Sequence, residues 1–300
     1  MISNKRNFIN LSDIRKEELQ KILKRARQLK KLRAKGTAFK NRLANVNLAM
    51  IFEKPSTRTR VSFEVAMAQL GGRASFLSVN DLQLGRGEPI EDTSKVLSSM
   101  VDGLVLRTMN HKTQEEFAFN SAVPIINGLS DKSHPCQILA DLLTFKEERG
   151  EIEGKKVAWC GDFNNVCKSY VEAAKIFSFE LWICCPEEFL PENRESYENV
   201  KFTSSLKEAT KDSAIVTTDV WISMGDESES SKRKDAFSSY QVNEKVLDEA
   251  SSDVIFLHCL PAKRGQEISE NLLNDPRSRV WNQAENRLHA QKGLLLELLK

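Results

Sequence analysis

Short apolar runs alternate with helical periodicity along almost the whole chain. Asn47–Phe52 reads as a buried strand, Arg60–Leu70 as a helix stopped by Gly71-Gly72, and Ala74–Val79 as a second strand. Thr93–Met100 is predicted helical, Gly103–Leu106 a strand, Gln114–Phe119 a helix and Val123–Ile126 a fourth strand, followed by a longer helix over Gln137–Glu148. After the polar linker Glu151–Lys156 the pattern restarts with strand Val157–Cys160, helix Val166–Phe177 and strand Glu180–Cys184. Further strands are predicted at Val200–Phe202, Ala214–Thr217 and Val254–His258, and a last helix from about Ala284 to Leu298. The repeating strand–helix order and apolar strands argue for parallel sheets covered on both faces. The expectation is an α/β chain of two doubly wound parallel-sheet domains, residues 1–150 and 151–283, with helix 284–300 packing back on the first. The Ser/Glu-rich stretch Asp226–Ser231 reads as a polar loop.

The unusual polar residues fall in one kind of place. Ligands of an open parallel sheet bind beyond the carboxyl ends of its strands. Ser56-Thr57-Arg58-Thr59 follows the first predicted strand, Gln83 the second, Arg107 the third, and His134-Pro-Cys-Gln137 the fourth. Asn164-Asn165, Asp219 and Cys259 follow strands of the second domain. The active site is therefore expected in the cleft between the domains.

Composition narrows the class without changing this picture. At 300 residues, with 40% hydrophobic and 29% charged positions, collagenous, low-complexity and wholly disordered chains are excluded. No apolar run approaches the ~18 residues of a membrane span, and the opening Met1-Ile-Ser-Asn-Lys-Arg carries no secretory apolar core, so a cytoplasmic location without a membrane partner is expected. Six cysteines without a CxxC pair suggest reduced thiols. The net charge of +2 is unevenly placed: residues 15–42 hold twelve Lys and Arg against Glu17 and Glu18, leaving the rest of the chain at −8. A basic helix of this kind either contacts nucleic acid or is a solvated face with Leu19, Ile22, Leu23, Leu29 and Leu32 turned inward. The second reading is preferred, because Phe39 is the single aromatic residue among the charges and no nucleic-acid motif lies near.

Glu53-Lys-Pro-Ser-Thr-Arg-Thr-Arg60 places hydroxyls and guanidinium groups at a strand-to-helix turn, where first-turn N–H groups and the helix dipole favour an anion, phosphate above all. The turn also reads simply as a capped helix start, but arginines there oppose the dipole unless an anion is bound. Arg107 ends a buried strand, and Pro135 stiffens the loop that carries His134, so a fixed cation and an imidazole donor could polarise a carbonyl beside a bound phosphate. Gly161-Asp-Phe-Asn-Asn165 has only the first glycine of a dinucleotide fingerprint, which disfavours nicotinamide and flavin cofactors. No metal-ligand spacing is present, so neither cofactor nor metal is expected. Asp219 with nearby amides suits an ammonium; Cys259 is open to three readings, as nucleophile, hydrogen-bonding group or small buried residue.

Taken together, Phe52-Glu-Lys-Pro-Ser-Thr-Arg-Thr-Arg60, His134-Pro-Cys-Gln137, Asp219 through Gly225, His258-Cys-Leu-Pro261 and Glu285-Asn-Arg287 closely resemble the ornithine carbamoyltransferases over nearly the whole chain. The first two motifs are shared by all transcarbamoylases; Ser-Met-Gly and His-Cys-Leu-Pro single out ornithine, and relatives acting on acetylornithine or putrescine usually carry Lys at the position of His258. Lys132 departs from the apolar residue common in relatives and bears only on loop packing. The resemblance implies a homotrimer, or a multiple of trimers, that transfers the carbamoyl group of carbamoyl phosphate to L-ornithine in arginine metabolism, biosynthetic or degrading. It also implies that Ser56, Thr57, Arg58, Thr59, Gln83, Arg107, His134, Gln137, Cys259, Leu260 and Arg287 bind carbamoyl phosphate. Asn165, Asp219, Ser223 and Met224 would bind ornithine, with Arg107, His134, Asp219 and Cys259 nearest the chemistry. The alternatives are a transcarbamoylase acting on a modified ornithine or a diamine such as putrescine, and a non-catalytic regulator binding nucleic acid through residues 15–42.

Overall fold

The computed structural model describes residues 5–34, 42–222 and 227–300. Ser223 and Met224, and residues 35–41 of the basic segment, lie outside the described residues. The chain divides into two units, Met1–Leu143 with Glu285–Lys300, and Thr144–Ala284.

The first unit begins with helix α1 (Lys16–Ala34), followed by β1 (Asn47–Phe52), α2 (Thr57–Leu70), β2 (Arg73–Ser78), α3 (Ile90–Ser98), β3 (Gly103–Arg107), α4 (His111–Asn120), β4 (Ile125–Leu129) and α5 (Pro135–Glu148), whose last turn passes into the second unit. Its sheet is parallel in the order β2-β1-β3-β4. Burial separates centre from edge: β1 is buried from Leu48 to Phe52, whereas Arg73, Ser75 and their neighbours on β2 alternate between exposed and half-buried. A strand enclosed on both faces has no polar side to show, and an edge strand does.

In the second unit come β5 (Lys156–Cys160), α6 (Asn165–Phe177), β6 (Glu180–Cys184), β7 (Val200–Thr203), α7 (Leu206–Thr210), β8 (Ile215–Thr218), α8 (Ser230–Phe237), α9 (Glu244–Asp248), β9 (Ile255–His258) and the start of α10 (Val280–Leu298). The parallel order is β7-β6-β5-β8-β9. Chain direction across each sheet reverses once, between β1 and β3 in the first and between β5 and β8 in the second. Such reversals open a crevice at the strand ends. The described residues of the stretch expected as a polar loop are helical instead: residues 227–229 form a 3-10 turn and Ser230 and Ser231 open α8.

α1 buries Leu19, Ile22, Leu23, Ala26 and Leu29, the spacing of one helical face, while Leu32 is only half-buried. That face meets α10, where Gly293 lets the backbones approach: a Cβ there would lie 2.6 Å from the Ile22 carbonyl oxygen. Arg25 pairs with Glu297 at 3.0 Å and Lys30 Nζ donates to Asn286 Oδ1 at 2.7 Å, so part of the basic face is engaged within the unit. No helix among the described residues is long and apolar enough to cross a membrane.

Candidate active site

Each unit carries a group of polar residues at its sheet reversal. In the first, Phe52 and Arg107 are register partners at the ends of β1 and β3. The next residue, Glu53, ties the two ends together: its N–H donates to the Arg107 carbonyl at 2.9 Å, and its Oε2 accepts the Met109 N–H at 2.6 Å. The exit of β1 then turns into α2 through Ser56, an extended N-cap whose Oγ accepts the Thr59 N–H at 3.3 Å. A hydroxyl cap satisfies one first-turn donor and leaves the helix start suited to an anion. Thr57 is exposed, Ser56 and Arg58 half-buried, and Thr59 buried.

Arg287 reaches this turn from α10. Its Nη1 donates to Gln137 Oε1 at 2.8 Å and its Nη2 to Thr59 Oγ1 at 3.2 Å, while Gln137 Nε2 donates to Asp141 Oδ1 at 2.8 Å. A buried line of partners therefore runs from Asp141 on α5 to the first turn of α2. His134, just before α5, is also buried, and its imidazole is held well below its ordinary pKa by burial and then by the guanidinium groups of Arg287, Arg107 and Arg58. The ring is neutral near pH 7, so it can donate one N–H without adding a further positive charge. Burial pushes the neighbouring Cys136 thiol up to about 12. Gln83 is exposed, at the start of a 3-10 turn over residues 83–86.

The second unit collects Asp219, Asn164 and Cys259. Asn164 is the N-cap of α6, with Oδ1 accepting the Val166 and Cys167 N–H groups at 3.0 and 3.1 Å, and its Nδ2 donates to Asp219 Oδ2 at 2.9 Å. Asp219 Oδ1 accepts from Cys259 Sγ at 3.1 Å and from the Val220 N–H at 2.8 Å. Asn165 opens α6 beside them, its Oδ1 3.0 Å from the Val166 nitrogen. Leu260 follows Cys259 in the left-handed region, φ 58°.

Asp219, His258 and Cys259 also bring three possible metal ligand atoms within 4.8 Å of one another. Both imidazole nitrogens of His258 are engaged, Nδ1 by the Leu260 N–H at 2.9 Å and Nε2 by Glu267 Oε1 at 3.2 Å. A metal would have to displace one of these bonds. The turn after β5 is drawn tight at Gly161 (φ 146°), where a Cβ would lie 3.2 Å from Thr218 Oγ1, and the Asn164 cap occupies the helix start that a dinucleotide fold would offer to a pyrophosphate.

The residues singled out in sequence thus fall into two sets, Ser56–Thr59, Arg107, His134, Gln137 and Arg287 in the first unit and Asn165, Asp219, Cys259 and Leu260 in the second. Four others escaped that reading as site residues. Asn164 was legible as one of an Asn-Asn pair, but its carboxylate partner lies 55 residues away. Glu53, Asp141 and Glu267 act on site residues through hydrogen bonds that no local motif announces.

Comparison with known proteins follows the same division. Residues 6–147 match the family described as aspartate/ornithine carbamoyltransferase, carbamoyl-P binding domain, and residues 153–298 the family described as aspartate/ornithine carbamoyltransferase, Asp/Orn binding domain. The chain is 53% identical over 298 residues to the ornithine carbamoyltransferase of Psychrobacter cryohalolentis, covering 98% of this chain and 97% of that one. It is 53% identical over 297 residues to the anabolic ornithine carbamoyltransferase of Pseudomonas aeruginosa, with 98% and 97% covered. The solved structure of the ornithine carbamoyltransferase from Pyrococcus furiosus superposes with a TM-score of 0.92 at 44% identity, covering 100% of this chain and 99% of that one. Matched along both units and at this identity, the chain belongs to the aspartate/ornithine carbamoyltransferase family.

Proposed function

We propose that the chain transfers the carbamoyl group of carbamoyl phosphate to the δ-amine of L-ornithine, giving L-citrulline and phosphate in arginine biosynthesis. The observation that carries this reading is the convergence of Arg58, Arg107 and Arg287 on the buried, neutral His134 beside the start of α2. Three guanidinium groups gathered at a helix N-terminus repel one another and the dipole, and a phosphate-bearing substrate offsets both.

Ser56, Thr57, Arg58 and Thr59 hold the phosphate, and Arg287 braces Thr59. Arg107, His134 and Thr59 donate to the carbamoyl oxygen, whose charge grows as the tetrahedral intermediate forms. Gln137 Oε1 accepts one bond from Arg287 and keeps a second lone pair for a carbamoyl N–H, with the carbonyls of Cys259 and Leu260 taking the rest. Asn165, Asp219, Ser223 and Met224 receive ornithine. Its δ-amine, with an ordinary pKa of ~10.4 like that of Lys, attacks only when neutral, so turnover rises with pH. Phosphate departs with the C–O bond electrons, and the amine proton passes to phosphate or solvent. A trimer, with the exposed Gln83 offered to a neighbouring subunit, and a cytoplasmic location complete the reading.

The test is steady-state product formation from carbamoyl phosphate with ornithine, acetylornithine and putrescine in parallel. Citrulline from ornithine at the highest kcat/KM is expected. A preference for another amine overturns the acceptor assignment, and no product from any of them overturns carbamoyl transfer.

A further inference from the structure

His258 closes β9 with its ring wholly buried against Glu267, whose side chain is equally buried. Its Nδ1 accepts the Leu260 N–H at 2.9 Å, so the ring proton belongs on Nε2, which donates to Glu267 Oε1 at 3.2 Å. The same Oε1 accepts the Lys263 N–H at 2.5 Å. One carboxylate oxygen therefore gathers both ends of the segment from His258 to Lys263. Glu267 is itself anchored, because its carbonyl accepts the Val242 N–H at 2.9 Å.

Within the clamped segment Leu260 holds φ 58°, a backbone region that a leucine occupies only when its surroundings over-determine it. The Leu260 N–H bond to His258 is part of that determination. The residue before it, Cys259, has its thiol on Asp219.

We propose that Glu267 and His258 are positioning residues for the second unit's part of the site: together they hold the Cys259–Leu260 backbone where it receives the carbamoyl amide and the Cys259–Asp219 contact where it receives the amine of ornithine. Neither touches substrate in this role. The inference rests on the functional reading above, which the unsubstituted chain tests by itself through citrulline formation; the ratio between variants tests the clamp.

The experiment measures kcat, KM for ornithine, inhibition by inorganic phosphate and Tm for the full chain, Glu267→Ala and Glu267→Gln. Displacing a reacting group by about 1 Å costs about a hundredfold, so Glu267→Ala is expected to lose about a hundredfold in kcat/KM for ornithine. Phosphate inhibition, which reads contacts assigned to the first unit, is expected to stay within about twofold. Glu267→Gln, whose amide oxygen can accept the same two N–H groups, is expected to recover to within about fivefold of the unsubstituted chain. Activity of Glu267→Ala within about threefold of that chain, or a matching loss in phosphate inhibition, overturns the proposal. Should Glu267→Ala not fold, two changes at the histidine decide. His258→Asn keeps an acceptor near the place of Nδ1, and His258→Gln keeps only a donor near the place of Nε2. The proposal requires the Asn variant to be about tenfold more active than the Gln variant; equal activities or the reverse order overturn it.

Discussion

Gln137 donates its Nε2 to Asp141 Oδ1 at 2.8 Å, one turn further along α5, and both side chains are buried. With the amide NH2 directed to a carboxylate, Oε1 faces Arg287, where it accepts at 2.8 Å. Asp141 thus fixes which atom of the Gln137 amide faces Arg287. Asp141→Leu is expected to raise the KM for carbamoyl phosphate about tenfold while leaving that for ornithine unchanged. It should also cost about 1.5–3 kcal/mol of stability, the usual worth of a buried hydrogen bond to a charged group, read by denaturant unfolding. Asp141→Asn, which still offers an acceptor, should fall between the two.

Arg107 and Arg58 should separate in kinetics. Arg107, at the end of β3, is assigned to the developing oxyanion, so Arg107→Gln should lower kcat by about 10²–10³, or about 3 kcal/mol of transition-state stabilisation. Arg58 is assigned to the phosphate, whose charge is present before and after transfer. Arg58→Ala should therefore act mainly on the carbamoyl phosphate KM, with a smaller loss in kcat. Unchanged citrulline formation by either variant removes that residue from the site.

Three of the four histidines are held below their ordinary pKa, chiefly by burial: His134 strongly, His289 to about 4, and His111. The folded chain keeps them neutral where the unfolded chain takes up protons, so stability is full above about pH 6.5 and falls as pH drops below it. For His134 the slope is about 1.4 kcal/mol per pH unit. Tm should decline between pH 6.5 and pH 4, and less steeply in His289→Gln. A flat profile over that range contradicts the assignment.

Thiol reactivity gives an independent reading of the second half-site. Cys136, Cys160, Cys167, Cys184 and Cys185 are buried, and burial raises all five thiols, Cys136 and Cys160 to about 12. Cys259 is partly accessible. Since the thiolate is the reacting form, iodoacetamide at pH 8 should label Cys259 first in the folded protein and all six after denaturation, as followed by peptide mass spectrometry.

Gly293→Ala sets two effects against each other. In a helix interior the change is favourable by about 1 kcal/mol on propensity, but the new methyl would sit 2.6 Å from the Ile22 carbonyl oxygen. Backbone cannot yield as a flexible side chain does, and overpacking of this kind costs about 1–3 kcal/mol. A net fall in Tm is expected, and a rise would mean that α1 and α10 are less closely apposed.

The sequence by itself determined whatever depends on near neighbours along the chain. Apolar runs without alternation marked the central strands, Gly71 the end of α2, and Ser56 the hydroxyl that caps its start, because pleat, helix period and capping act over a few residues. The same locality made Ser56–Thr59 and His134–Gln137 legible as candidate anion-binding and polarising groups. Tertiary structure decided what depends on distance through space. Arg287 meets Gln137 across 150 positions and Thr59 across 228, and Asp219 finds Asn164 across 55 and Cys259 across 40. Asp141 and Glu267 looked like ordinary acidic residues until folding buried them beside Gln137 and His258. A side chain's chemistry is local, but its desolvation, orientation and partners are set only once remote strands and helices pack together.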